Sequence, residues 1–136
     1  MPTDEERLRS FYAALSRPAG IKQVAENLDP EFELDEFSTG DASKIYRGHA
    51  GFLQWGRRAM TSFSDATLTP LSIETHGTKL LVDLQIRGTG AATGAPIDLV
   101  IHHVVELREG KLYRIAGYLD RTAAQAAARK PAHEPT

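Results

Sequence analysis

Residues 101–115, Ile-His-His-Val-Val-Glu-Leu-Arg-Glu-Gly-Lys-Leu-Tyr-Arg-Ile, decide the fold. Apolar side chains alternate on both sides of a Glu-Gly pair, which is typical of two strands joined by a tight turn. Successive side chains of a strand point to opposite faces, so His102 and His103 face opposite sides of the sheet. His103 shares its face with Ile101 and Val105. A titratable ring among aliphatic side chains is the first candidate for a site, and a hydrogen-bonded structural histidine is the alternative.

Strands are also predicted outward from this hairpin, over residues 68–74 and 79–87. The chain before them has helical periodicity. Thr3, followed by three acidic residues, predicts a helix start. One buried face of that helix is formed by Leu8, Phe11, Tyr12 and Leu15. A short second helix follows, and Phe32 to Phe37 then alternate as a strand. The apolar stripe of a third helix consists of Phe52, Trp55, Ala59 and Phe63. Helices followed by a meander of strands predict an α+β fold.

Length and composition restrict the class of protein. The chain has 136 residues, enough for one domain, and no cysteine. Its net charge of −2 does not favour nucleic acid as a partner. No apolar run approaches the roughly 20 residues of a membrane helix, and the polar N-terminus does not resemble a targeting signal. We therefore expect a cytoplasmic protein that binds neither nucleic acid nor membrane.

Local motifs add a family resemblance to this pattern. They are Phe11-Tyr12-Ala13-Ala14-Leu15, Tyr46-Arg47-Gly48-His49-Ala50, and Glu106-Leu107-Arg108-Glu109-Gly110-Lys111 with Tyr118-Leu119-Asp120. Together with the order of helices and strands, they resemble the nuclear-transport-factor-2-like superfamily, in its SnoaL-like and ketosteroid-isomerase-like group. The resemblance implies a cone-shaped α+β fold, with three N-terminal helices packed in a strongly curved antiparallel sheet. It implies a domain over residues 1–125, and we expect 126–136 to be a disordered tail.

The resemblance to ketosteroid isomerases also implies roles for particular residues. The general base of those enzymes corresponds to Glu36, and their proton-donating oxyanion residue corresponds to His103. The position of their catalytic tyrosine is occupied by Phe11, with Tyr12 beside it. Asp35 is the alternative inward carboxylate if the strand register shifts by one residue.

The resemblance to SnoaL-like cyclases implies a further acid/base candidate, Asp120. It also implies a deep apolar pocket inside the cone. Side chains expected to contact a ligand there are Phe11, Tyr12, Phe37, Trp55, Met60, Val105 and Tyr118. Arg57 and Arg58 are most simply solvent-facing charges.

These expectations define two alternative functions. The first is cofactor-free isomerase-like or cyclase-like acid/base chemistry on a small hydrophobic carbonyl or ring compound. The second is a non-catalytic ligand-binding or dimerisation domain. The histidine spacing predicts no metal site. A homodimer is expected through the outer sheet face, where Leu71, Ile73, Val100 and Val104 would otherwise leave apolar surface uncovered.

Overall fold

The computed structural model describes residues 2–17, 19–37 and 44–131. Its elements follow the predicted order of helices first and a strand meander second. They are α1 (Asp4–Leu15), α2 (Gly20–Ala25), β1 (Leu28–Asp35), β2 (Ile45–Arg47), α3 (Gly48–Ser62), β3 (Phe63–His76), β4 (Lys79–Gly90), β5 (Pro96–Arg108), β6 (Lys111–Tyr118) and α4 (Arg121–Ala128). No helix within these described ranges is long and apolar enough to cross a membrane.

Helix α1 begins where the sequence predicts. The Thr3 hydroxyl accepts a hydrogen bond from the Glu6 amide at 3.1 Å, and the Glu6 carboxylate accepts one from the Thr3 amide at 3.1 Å. This reciprocal pair satisfies two amides that the first helical turn leaves without partners. The face that α1 buries includes Leu8, Phe11 and Tyr12, so the predicted helical stripe is confirmed.

The strands form one curved, unclosed sheet in the order β2-β1-β6-β5-β4-β3. Neighbouring strands pair antiparallel, except that β1 and β6 run parallel. The expected α+β fold with N-terminal helices and a curved, mainly antiparallel sheet is confirmed, and β1–β6 is the one parallel pair among the described strands. A parallel pair needs a long connection between its strands, and here most of the chain lies between β1 and β6.

The two faces of the sheet pack against different helices. The inner face, which includes Leu80, Val82 and Leu84, packs against the N-terminal helices in the main core. Ile73 pairs with Val82 and also packs against this core, so its expected place on the outer face is wrong.

The outer face is partly covered by α4. Leu81 and Val104 of the sheet pack there against Ala124 and Ala128 of the helix. Helix α4 continues past the boundary predicted at residue 125, and Ala128 is only 1% exposed. Residues 126–128 of the expected tail therefore belong to α4, and its residues 132–136 lie outside the described part of the chain.

Candidate functional site

A cavity of about 450 Å³ lies between the inner face of the sheet and helices α1 and α3. Most of its lining is aliphatic or aromatic. The polar side chains in the lining are Glu36, Arg58, Ser62, His103 and the indole of Trp55. A mostly apolar cavity with a few polar groups is the usual form of a small-molecule site.

His103 is the imidazole of this cavity. Its Nδ1 lies 2.7 Å from the hydroxyl of Tyr12, a residue with 0% exposure. Burial, together with a smaller contribution from the neighbouring His102, lowers the pKa of His103 to about 4. Burial also raises the pKa of the Tyr12 hydroxyl far above its ordinary value. At neutral pH the pair is therefore an uncharged phenol and an uncharged imidazole.

The hydrogen bond between these two side chains determines the tautomer of His103. In the described part of the chain, His103 is the only hydrogen-bond partner of the Tyr12 hydroxyl. An unpaired hydroxyl proton inside the core would cost about 1 to 3 kcal/mol, so Tyr12 donates and Nδ1 accepts. A neutral imidazole that accepts at Nδ1 carries its proton on Nε2. No hydrogen bond within the described ranges occupies Nε2, which leaves its N–H available to a ligand in the cavity.

Glu36 is the carboxylate of this cavity. It lies in the turn directly after β1, and its Oε2 accepts a hydrogen bond from the indole nitrogen of Trp55 on α3. The Trp55 donor restrains the orientation of the carboxylate. Its second oxygen, Oε1, makes no hydrogen bond elsewhere in the residues that the structure describes.

Gly117 separates Glu36 from His103. It pairs with His103 across β5 and β6, and Ala116 pairs with Asp35 across β6 and β1. A Cβ atom at Gly117 would lie 2.1 Å from the main-chain oxygen of Glu36 and 3.7 Å from Cδ2 of His103. Glu36, directly after β1, and His103 in β5 thus lie on either side of Gly117 in β6, and this glycine places no side chain of its own between them. This is the pair of residues expected from the family resemblance.

The other two predicted carboxylates lie elsewhere. Asp35 is 8% exposed, does not line the cavity, and lies 3.6 Å from the guanidinium of Arg114. Asp120 caps α4 by accepting a hydrogen bond from the amide of Ala123 at 3.0 Å. The β1 register therefore turns Glu36, and not Asp35, toward the cavity.

The predicted contact residues divide into two groups. Phe11, Phe37 and Trp55 line the cavity. The others do not: Tyr12 lies behind His103, Met60 lines an adjoining depression, Val105 is fully buried in the core, and Tyr118 packs against the cluster under α4.

Two residues of the site were missed from the sequence. Arg58 is exposed, as expected of a solvent-facing charge, but it also lines the cavity. Its position three residues after Trp55 places both on one helical face, which is a signal that the sequence does contain. Gly117 had no signal of its own, because its importance depends on the pairing of strands. Among the described residues, no group of three or more His, Asp or Glu side chains could hold a metal ion.

Comparison with known proteins agrees with this architecture. The sequence profile of the SnoaL-like domain matches residues 8–115. No curated protein matches the chain in sequence. An NTF2-like protein of unknown function from Burkholderia pseudomallei superposes with a TM-score of 0.74 at 20% identity, covering 96% of this chain and 99% of that one.

Two further solved structures are similar at low identity. A protein with a ketosteroid isomerase-like fold from Catenulispora acidiphila, in complex with trimethylamine, has a TM-score of 0.74 and 12% identity, covering 95% of this chain and 96% of that one. SalBIII, an epoxide hydrolase/cyclase-like enzyme of pyran ring formation in the polyether salinomycin, has a TM-score of 0.74 and 14% identity, covering 88% and 92%. At these identities the likeness establishes the fold alone.

Proposed function

Because this chain belongs to the SnoaL-like domain family, we propose that it binds a small hydrophobic carbonyl or ring compound and rearranges it by cofactor-free acid/base chemistry. The observation that carries this proposal is the placement of Glu36 and His103 on one apolar cavity. Its relative SalBIII acts in ring formation, which is consistent with chemistry at a carbon skeleton.

The proposed reaction begins with removal of a proton from the carbon next to a carbonyl. The Glu36 carboxylate takes the proton, and the electron pair of the C–H bond forms an enolate. The Nε2–H of His103 donates a hydrogen bond to the enolate oxygen, where negative charge develops. Return of the proton from Glu36 to another carbon completes an isomerisation, and attack of the enolate carbon on a second electrophilic group of the same molecule would close a ring.

A neutral histidine is a suitable donor for this role. Because the pKa of His103 is about 4, its imidazole stays uncharged at neutral pH and does not place a cation in the apolar cavity. Tyr12 acts through His103 as a positioning residue, since its hydroxyl keeps the proton on Nε2. The resemblance implied a catalytic phenol at position 11, which is Phe11 in this chain. The phenol of the next residue, Tyr12, contacts the donor His103 and, in this proposal, not the ligand.

The test measures proton exchange on a hydrophobic ketone. The protein is mixed with 2-tetralone in deuterated buffer, and loss of the proton signal next to the carbonyl is followed by NMR. We expect exchange faster than in buffer alone, and we expect Glu36→Gln to lower the catalysed rate about 100-fold, the usual contribution of a general base.

Asp120→Asn provides the matched control. It also replaces a predicted acid/base carboxylate by its amide, but asparagine can still cap α4. We expect this variant to retain the wild-type exchange rate. Binding of 2-tetralone without catalysed exchange would favour the second function, passive ligand binding, and equal effects of the two variants would remove Glu36 from the chemistry.

A further inference from the structure

Arg58 stands where the cavity meets the surface. It lines the cavity and also an adjoining surface cleft of about 850 Å³. Its guanidinium donates a hydrogen bond to the hydroxyl of Tyr46 and lies 5.9 Å from the centre of that ring. Within the described residues it forms no ion pair with a carboxylate, and its side chain is exposed.

Most other arginines of the described chain do reach a carboxylate. The paired ones are Arg7, Arg9, Arg47, Arg87, Arg108, Arg114 and Arg121. Arg58 combines a place in the cavity lining with a charge that no carboxylate of residues 2–17, 19–37 or 44–131 pairs. The planar guanidinium has more donors than Tyr46 can use, and it is suited to binding oxygen anions in a bidentate way.

The cleft outside Arg58 adds positive charge. Its described lining includes Lys44, Arg47 and Arg57, and the carboxylates there are Asp35 and Glu36. Arg47 pairs with Glu33, and Asp35 is close to Arg114. Among the described lining residues, Lys44 and Arg57 therefore join Arg58 around one remaining carboxylate, Glu36. The described part of the cleft therefore favours an anion, and the cavity behind it favours an apolar body.

We propose that Arg58 selects ligands that carry an anionic oxygen group, such as a carboxylate, at one end of an apolar body. The anionic group lies at Arg58 in the cleft, and the apolar body lies in the cavity toward His103. This inference rests on the ligand-binding part of the proposed function. It does not require that the ligand reacts, so binding measurements test it separately from proton exchange.

A pair of fluorescent probes isolates the anionic group. The probes are 1-anilinonaphthalene-8-sulfonate and N-phenyl-1-naphthylamine, which share one ring system and differ by the sulfonate. We expect both probes to bind the full chain and to compete with each other. We expect Arg58→Gln to weaken binding of the sulfonate about tenfold and to change binding of the neutral probe less than twofold.

Arg57→Gln is the matched control. It removes the same charge from the next residue of α3, which lines the cleft but not the cavity. At physiological salt, we expect it to weaken sulfonate binding only about twofold, because its charge adds to the field of the cleft without contacting the ligand and is largely screened. Arg58→Lys keeps the charge but loses the bidentate geometry, and we expect an intermediate affinity.

Several results would overturn the inference. Equal losses of affinity for the sulfonate probe in Arg57→Gln and Arg58→Gln would assign the effect to overall charge. Equal losses of affinity for the two probes in Arg58→Gln would assign the effect to the shape of the cavity. A thermal melt of each variant checks that the fold is intact. Failure of the neutral probe to bind or to compete would contradict ligand binding in the cavity itself, whereas catalytic failure alone leaves the role of Arg58 standing.

Discussion

The two adjacent imidazoles of β5 lie in opposite chemical environments. The Nδ1 of His102 lies 2.7 Å from the carboxylate of Asp83 on the outer face, and the Nε of Arg121 lies 3.1 Å from the same carboxylate. His103 contacts Tyr12 and the cavity on the inner face. Because successive side chains of a strand point to opposite faces, His102 contacts the ion pair of Asp83 and Arg121, whereas His103 contacts the uncharged phenol of Tyr12.

The depressed pKa of His103 has a consequence for stability. An unfolded histidine has a pKa of 6.5 and that of folded His103 is about 4, so between these values the unfolded chain binds a proton that the folded chain excludes. The free energy of unfolding should therefore fall as the pH falls through this window. Above pH 6.5 His103 is neutral in both states, and none of this stability is lost. The predicted loss is at most about 3 kcal/mol.

Urea denaturation of wild type and His103→Gln at several pH values measures this contribution. Glutamine can accept the Tyr12 hydrogen bond without titrating, so we expect the variant to lose less stability than wild type on acidification. Parallel stability curves for the two proteins would show that His103 does not titrate in this window.

Gly117 links strand pairing to the site. A methyl group there would meet the main-chain oxygen of Glu36 at 2.1 Å, so β1 and β6 would have to separate locally. We expect Gly117→Ala to cost about 1 to 3 kcal/mol of stability, as overpacking usually does. We also expect it to lower the exchange rate on 2-tetralone, because the carboxylate moves relative to His103. A variant with wild-type stability and wild-type exchange would contradict this account of the β1–β6 contact.

Periodicity predicted most elements but not how they pair. The α1 stripe and the hairpin of β5 and β6 were predictable because each depends on neighbours in the sequence. The strand β2 was missed, because only three residues form it. The choice between Glu36 and Asp35 depended on a register set by Gly117 and Ala116, which are about 80 residues away, and alternation within β1 could not decide it. The family resemblance supplied the pairing of Glu36 with His103 that local patterns lacked.

The whole molecule retains apolar surface that its own helix does not cover. Helix α4 buries Val104 to 3% exposure, but Val100 on the same face remains 44% exposed and Leu71 in β3 is 55% exposed. A homodimer that covers these two residues remains our expectation for the assembly. Light scattering should give twice the chain mass of 14.9 kDa at micromolar concentration.

Charge substitutions can test this assembly. We expect the double variant Leu71→Asp, Val100→Asp to have the mass of one chain, because a dimer would bury four carboxylates. Met60→Asp changes a comparably exposed residue, 57% exposed on α3, and should leave the dimer intact. A wild-type mass of one chain, or equal dissociation by both variants, would exclude the proposed interface.

The position of α4 also determines how the protein can be attached to other molecules. The helix lies on the outer face of the sheet, whereas the cavity is lined by side chains of the inner face. A linker, a fused reporter or a sensor surface joined after α4 therefore begins on the side away from the ligand. Immobilisation through this end should leave the cavity accessible to ligands in the flowing solution.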